Sequence, residues 1–355
     1  MSVVLSISGL YAHNGNFLLK NINLDVVNGE IVAIVGENGS GKTTLLNAIA
    51  GFVKVDKGKI LLNGVDITNR EPEERNIGYI FQTLALFPHL TIQDNIKFGL
   101  RFKQIDNAEE RFKALVKFFK LEHLLSRYPN ELSGGEKQKV AIARALILDP
   151  KVLLLDEVTS QLSPIERERV SLELKEIIKN FGKSAIFVTH NIDEATIVGD
   201  RIAVLDNGQI IQIGVPYEIF YSPTREEVAR LAGVNAIKGI VVGEEDGIKK
   251  VDVGSQFIYI LGDYAIGDSV IIFIHPEEIT LSKTPFKTSA QNSFTGFIDK
   301  IVSKSGVATV SVKVSENNTF KALITRKSLE ELDLKTGENV YLSFKITAIH
   351  SVKAS

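Results

Sequence analysis

Two stretches place glycines and charged residues where ordinary packing does not call for them. "GEIVAIVGENGSGKTTLLNAIAGF" begins with an apolar run, Ile31 to Val35, of strand length. Gly36, Gly41, Lys42 and Thr43 then follow the spacing G-x-x-x-x-G-K-[ST], and a helical pattern comes next. Glycines there let successive backbone N–H groups turn inward and cradle phosphate oxygens. Asn38, Gly39, Ser40 and Thr44 complete the loop and its first helical turn. The helix N-terminus adds its positive end to the same anion. Lys42 would hold the outer phosphates, and the Thr43 hydroxyl would bind Mg²⁺. The second stretch, "KVLLLDE", is an apolar strand that ends in Asp156 and Glu157. Paired carboxylates at a buried strand end need a purpose, because burying charge is expensive without partners. Asp156 would serve the Mg²⁺ shell, through water, and Glu157 would orient and deprotonate an attacking water.

Between the two lies "LSGGEKQKVAIARALILDP". Ser133 and Glu136 fit a capping box, so an ordinary helix start explains part of it. Gly134 and Gly135 are not explained that way. A glycine in a helix is less stable than alanine by roughly 1 kcal/mol. Two of them make sense if a phosphate approaches that backbone closely.

"GENGSGKTT", "LSGGE", "LLLDE" and "VTH", in this order, resemble the ATP-binding-cassette ATPases over about residues 1–233. The resemblance implies ATP and Mg²⁺ as cofactors. It implies that Tyr11 stacks on the adenine. It implies that Gln82, in "YIFQTLALFPHL", touches Mg²⁺ and the attacking water. His190, in "FVTHNIDEA", would contact the γ-phosphate. Ser133, Gly134 and Gly135 would bind the γ-phosphate of ATP held by a second subunit. One chain has one loop and one signature, so two sites require a homodimer. The segment Gln82 to Ile96 would receive two membrane-spanning permease partners, with an extracytoplasmic solute-binding protein acting indirectly. One position departs from the family. "TSQLSPIE" has Ser163 where an aspartate is usual, so the acidic contact across the dimer is lost. Ser163 can still cap the next helix, with Pro164 at its first position and Glu166 closing a capping box.

Bulk composition agrees with such a machine. The chain has 355 residues, enough for two domains, and a formal net charge of −2, which gives no basic field for nucleic acid. It has no cysteine, so no disulfide or thiolate metal site can form. No apolar run approaches the roughly 18 residues needed to span a bilayer, and the N-terminus does not read as a signal peptide. The expected location is the cytoplasmic face of the cell membrane, held there by partners.

From Lys238 the pattern turns strand-like. Val310, Val312 and Val314 alternate with polar residues, as do Val340, Leu342, Phe344 and Ile346. "GDSVIIFIHPEEI" from Gly267 and "GENVYLSFKITAI" from Gly337 align without a gap, which predicts two related halves, about 235–283 and 289–352. This region resembles the C-terminal TOBE or Mop-type regulatory domains of importer ATPases, and its second half is similar to the oxyanion-binding unit of molybdate and tungstate systems. That likeness implies anion sensing by Ser289, Gln291, Asn292 and Lys345. Gln291 stands where the family carries arginine, and Ile346 where it carries serine.

The sequence therefore predicts a P-loop α/β ATPase domain over 1–233 with a helical subdomain at about 83–150. An all-β, OB-like regulatory domain is expected over 234–355. The expected function is ATP hydrolysis that drives import of tungstate or molybdate-type oxyanions. A sugar importer is the nearest alternative. A soluble cassette ATPase acting on nucleic acid or ribosomes is disfavoured by the short Gln82–Ser133 interval and the missing basic tail.

Overall fold

The computed structural model describes residues 2–160, 162–254, 256–285, 287–304, 306–316 and 318–354. Internal contacts divide the chain into a unit ending at Pro216 and a unit beginning at Tyr217. This boundary precedes the 233/234 expected from the sequence. The helix Glu226–Leu231 accounts for the difference, because Ala229 and Val234 bury against Ile271 and Phe273 of the second unit.

A six-stranded sheet organises the first unit. Its strand order is Gln209–Gly214, Arg201–Asp206, Ile31–Val35, Ser184–Thr189, Val152–Asp156 and Ile77–Ile80. All neighbours are parallel except the Gln209–Gly214 edge. Ile31–Val35, Val152–Asp156 and Ser184–Thr189 are buried at every position. Continuous apolar runs such as "IVAIV" and "VLLLD" suit strands covered on both faces. Parallel strands bring their carboxyl ends to one edge, where open α/β sheets bind ligands. The register pairs Val35 with Thr189 and Asp156 with Val188. The loops that carry Gly36, Gln82, Glu157 and His190 therefore leave from the same edge.

A four-stranded antiparallel sheet, ordered Phe17–Val27, Val3–Asn14, Val55–Leu62 and Val65–Asp66, packs into the same core. Leu5, Ile7, Leu10 and Ile22 bury with Leu45 and Ile49 of the helix Lys42–Ala50. The interval between Gln82 and Asp156 is helical, with helices Ile92–Lys97, Ala108–Phe119 and Gly134–Leu146. Ser133 and Glu136 close the expected capping box, and at Ser163 the Glu166 carboxylate accepts from the Ser163 N–H at 3.3 Å and from its Oγ at 2.6 Å.

The second unit holds two five-stranded sheets. One is ordered Phe257–Leu261, Ile248–Asp252, Asn235–Glu245, Ser269–Ile274 and Ile349–Lys353. The other is ordered Thr280–Ser282, Asn339–Phe344, Asn292–Lys304, Val307–Lys313 and Thr319–Thr325. The two halves of the repeat exchange their last strands: Thr280–Ser282 pairs with Asn339–Phe344, and Ile349–Lys353 pairs with Ser269–Ile274. The expected alternation through Ile346 stops at Phe344. Ile346–Ala348 forms a 3₁₀ turn closed by Ala348 N–H on Lys345 O at 3.1 Å, and Ile346 stays buried. The first half makes the matching turn at Pro276–Glu278, closed by Glu278 N–H on His275 O at 3.1 Å.

The halves also clasp each other through two asparagines. The Asn292 amide accepts from Tyr259 N–H at 2.8 Å and donates to Tyr259 O at 2.9 Å. Asn235 does the same to Lys321, at 2.7 and 2.9 Å. Both side chains are buried, so losing one leaves a strand's N–H and C=O without partners. We expect Asn235→Ala and Asn292→Ala each to lower stability by about 1–3 kcal/mol. Urea unfolding of the full chain, followed by far-UV circular dichroism, measures this. A value near zero at either position would show that water replaces the amide.

Candidate active site

Lys42 is buried deep in the glycine loop. Its ammonium donates to the carbonyls of Gly36 and Glu37, both at 3.0 Å, and lies 3.7 Å from Glu157 Oε1. Burial holds the Lys42 amine below its usual range, against the pull of Glu157 and Asp156. The loop backbone leaves no freedom at two glycines. A Cβ on Gly41, at φ +105°, would sit 2.5 Å from the Phe17 ring. A Cβ on Gly36 would sit 2.2 Å from the Leu205 carbonyl oxygen. Asn38 and Gly39 are exposed at the loop's tip, and Ser40 is buried with its Oγ unpartnered. Asn14 Nδ2 donates to Thr44 Oγ1 at 3.4 Å, which brings the end of the Tyr11 strand to this loop. Tyr11 itself is half-buried, with Lys57 Nζ 6.0 Å from its ring centre.

Two acids face this loop. Asp156 Oδ1 accepts from Thr43 Oγ1 at 3.1 Å, and Asp156 Oδ2 accepts from Tyr79 Oη at 3.2 Å. Burial pushes the Asp156 carboxyl up, while those two hydrogen bonds hold it back. Tyr79 also contacts Asn47 Oδ1 at 3.1 Å, and burial drives its phenol far above the usual range. Glu157 is the focus of the remaining groups. Gln82 Nε2 donates to its Oε2 at 3.3 Å, and His190 Nδ1 lies 3.7 Å from its Oε1. Gln82 Nε2 also reaches Ser160 Oγ at 3.3 Å. Glu157 has a left-handed backbone, φ 45°, which is uncommon for a non-glycine residue. The fold thus gathers Lys42, Thr43, Gln82, Asp156, Glu157 and His190 into one cluster.

Ser133, Gly134 and Gly135 do not join that cluster. Ser133 bonds within its own cap, to Glu136. A Cβ on either glycine would meet nothing within 4 Å. The chain's own packing therefore gives no reason for glycine there, and these residues are open to something outside the chain.

The sequence reading missed Tyr79, Asn47, Ser160 and Arg144. Tyr79 sits in "IGYIF", where any aromatic residue would fit the strand, so its hydroxyl carried no signal. Arg144 donates to Ala85 O at 2.6 Å and to Leu84 O at 2.8 Å. Leu84 and Ala85 are consecutive left-handed residues, φ 58° and 43°. That conformation costs an L-residue roughly 1–2 kcal/mol.

In the second unit, Asn292 pairs with Phe344, so Gln291 and Lys345 are the residues next to this pair just outside the two strands. Ser289, Gln291 and Lys345 are exposed, whereas the Asn292 amide is engaged on Tyr259. Gln291 also lines a groove of about 540 Å³ with Glu244, Glu245, Asp246, Lys250 and Tyr259.

Comparison with known proteins now defines the class. A family model described as ABC transporter matches residues 19–160, and a TOBE domain model matches residues 288–351. The chain belongs to the ATP-binding subunits of ABC transporters, ATP-hydrolysing translocases, and carries a TOBE domain. It is 42% identical over 339 residues to the molybdate/tungstate import ATP-binding protein WtpC of Pyrococcus abyssi, covering 94% of this chain and 95% of that one. It is 37% identical to the spermidine/putrescine import ATP-binding protein PotA of Thermotoga maritima, covering 92% and 91%. It is 35% identical to the sulfate/thiosulfate import ATP-binding protein CysA of Mannheimia succiniciproducens, covering 95% and 96%. Among solved structures it is similar to a dimeric ATP-binding cassette in a post-hydrolysis state bound to ADP and Pi. The TM-score is 0.52 at 32% identity, over 60% of this chain and 98% of that one.

The buried Asp156 makes a pH-dependent prediction. Its folded value lies above its unfolded one, so ionisation favours the unfolded chain. The destabilisation begins as pH rises through the ordinary carboxylate range and is complete above the raised value. Asp156→Asn removes it. Without nucleotide, we expect this variant to melt above the wild type at neutral pH, with the gap closing on acidification towards about pH 4. Thermal melts by circular dichroism test this. A lower melting temperature at neutral pH would show that Lys42 needs Asp156 more than burial opposes it.

Proposed function

We propose that this chain is the energy-coupling ATPase of an importer for tungstate or molybdate-type oxyanions. The observation that carries the reading is the 42% identity to a molybdate/tungstate import protein, which runs through nearly the whole of both chains, tail included.

In this reading Tyr11 stacks on adenine, and Gly36, Asn38, Gly39, Ser40, Gly41, Lys42, Thr43 and Thr44 cradle the phosphates. Thr43, Asp156 and Gln82 would hold Mg²⁺, Asp156 through water. A hydroxyl and a carboxylate 3.1 Å apart, the carboxylate's charge opposed by burial, are hard oxygen donors suited to a divalent cation. When bound, the cation supplies charge neutralisation to the phosphates. Glu157 takes the proton of the attacking water. Gln82, 3.3 Å away, orients that water. His190, 3.7 Å from the same carboxylate, contacts the γ-phosphate. Ser133, Gly134 and Gly135 complete the site of a second copy, so the working unit is a homodimer holding two ATP. The bareness of Gly134 and Gly135 supports this, since a phosphate approaching the helix start needs open backbone.

No helix among the described residues is long and apolar enough to cross a membrane. Two permease partners would therefore span it, docking on Gln82 to Ile96, with the ATPase on the cytoplasmic face and a solute-binding protein on the far side. Aromatic residues supply apolar surface beside that segment: Phe52, Tyr79 and Phe81 cluster with centroids 4.2 to 6.1 Å apart, and Phe52 is exposed. Nucleic acid has no place in this reading.

Ser289, Gln291 and Lys345 would sense the anion at the TOBE unit. Hydrogen-bond donors and a positive charge suit a dianion, which offers only acceptors. Cargo is the part that relatives importing polyamines and sulfate leave to experiment. Calorimetry on the full chain should give saturable heat with tungstate that Lys345→Ala abolishes, and none with spermidine. A response to spermidine alone would assign the chain to the polyamine class. A response to sulfate equal to that of tungstate would assign it to the broader sulfate class.

A further inference from the structure

The loop after Gln82 is built against its own backbone preference. A turn from Phe81 to Leu84, closed by Leu84 N–H on Phe81 O at 2.8 Å, contains Gln82. Leu84 and Ala85 then take consecutive left-handed conformations, φ 58° and 43°, and neither is glycine or asparagine. Such backbone persists only where its surroundings over-determine it, and it gathers at switch regions. Downstream, the buried Asn95 amide holds Phe87 through its N–H and its carbonyl, at 2.8 and 3.0 Å. The strand Ile77–Ile80 fixes the upstream end. Between these anchors, the backbone carbonyls of Leu84 and Ala85 are held by a side chain that comes from elsewhere.

That side chain is Arg144, on the helix Gly134–Leu146. Its two terminal nitrogens donate to the successive carbonyls of Ala85 and Leu84, at 2.6 and 2.8 Å. Its guanidinium carbon lies 5.4 Å from the centre of the Phe87 ring. Among the described residues, no carboxylate is within ion-pair distance of it, so its partly buried charge rests on backbone carbonyls and an aromatic face. The planar fork presents two donors at a fixed spacing and so holds the two carbonyls in one relative geometry, whereas a lysine ammonium is a point charge on a flexible stem.

We propose that Arg144 is a positioning residue for hydrolysis: it holds the Leu84–Ala85 turn so that Gln82 stays on Glu157, and it makes the Gln82 loop and the helix that starts at Ser133 move as one body. The inference rests on the reading of Gln82 as the residue that orients the attacking water. It adds a physical link between the element that serves a site in the same chain and the element open to a second copy. Whatever displaces the exposed loop then displaces Ser133 to Gly135 as well.

The test is basal ATP turnover by the purified full chain, with ATP affinity measured separately by fluorescence of a labelled ATP analogue. R144K and R144Q should each lower kcat about tenfold or more, with affinity changed less than twofold. Adding Leu84→Gly and Ala85→Gly to R144Q should recover several-fold of the lost kcat, because glycine takes the left-handed backbone without a clamp. A residue that merely supports folding would give no such rescue. Wild-type kcat in R144K and R144Q would overturn the inference. So would loss of affinity in step with rate, or no recovery from the glycine pair. A wild-type chain without turnover would instead overturn the hydrolysis reading on which the inference rests.

Discussion

The ATPase unit depends on keeping a buried ammonium beside two acids at the carboxyl edge of an open parallel sheet. Lys42 is almost fully buried, and isolated burial of a charge is prohibitive. Its neighbours make it tolerable: two loop carbonyls at 3.0 Å, and Glu157 at 3.7 Å. Those neighbours exist only because Ile31–Val35, Ser184–Thr189 and Val152–Asp156 are adjacent and parallel. Their carboxyl ends share one edge, so residues from distant parts of the sequence meet there. Burial nonetheless opposes the charged forms of both Lys42 and Asp156. We propose that a phosphate chain and a divalent cation complete this arrangement.

Most of this unit was legible in the sequence because its signals are local. Glycine spacing, apolar strands ending in carboxylates, and S-x-x-E caps each follow from a short stretch. Lys42, Gln82 and His190 all lie within 3.7 Å of the Glu157 carboxylate. What was not legible depends on tertiary approach. The Tyr79 hydroxyl on Asp156 and the Arg144 fork on Leu84 and Ala85 join residues far apart in sequence through side chains ordinary for their elements. The helix Glu226–Leu231 read as part of the first domain because its pattern is helical; its burial on Ile271 and Phe273 puts it with the strands.

The second unit shows the limit differently. The gapless repeat between Gly267 and Gly337 was visible, and it corresponds to matching strands and matching 3₁₀ turns. The exchange of terminal strands was not visible, since nothing in a strand's alternation names its neighbour. Nor was the reciprocal role of Asn235 and Asn292. Sequence likeness offered Asn292 as an anion ligand; its buried amide is a backbone clasp, with Asn235 as its counterpart in the other half. A polar residue at a repeat-equivalent position can thus serve the repeat itself. That leaves the exposed Ser289, Gln291 and Lys345 as the groups free to face a ligand.

We propose that Glu157 stands where the attacking water loses its proton, in a site completed by the signature of a second chain. Replacing Glu157 by Gln keeps the shape and removes the base. Light scattering with a count of bound nucleotide, in the presence of ATP and Mg²⁺, tests this most directly. The expected result is a dimer of two chains holding two intact ATP molecules, with turnover abolished. A monomer that binds ATP, or turnover at the wild-type rate, would contradict it.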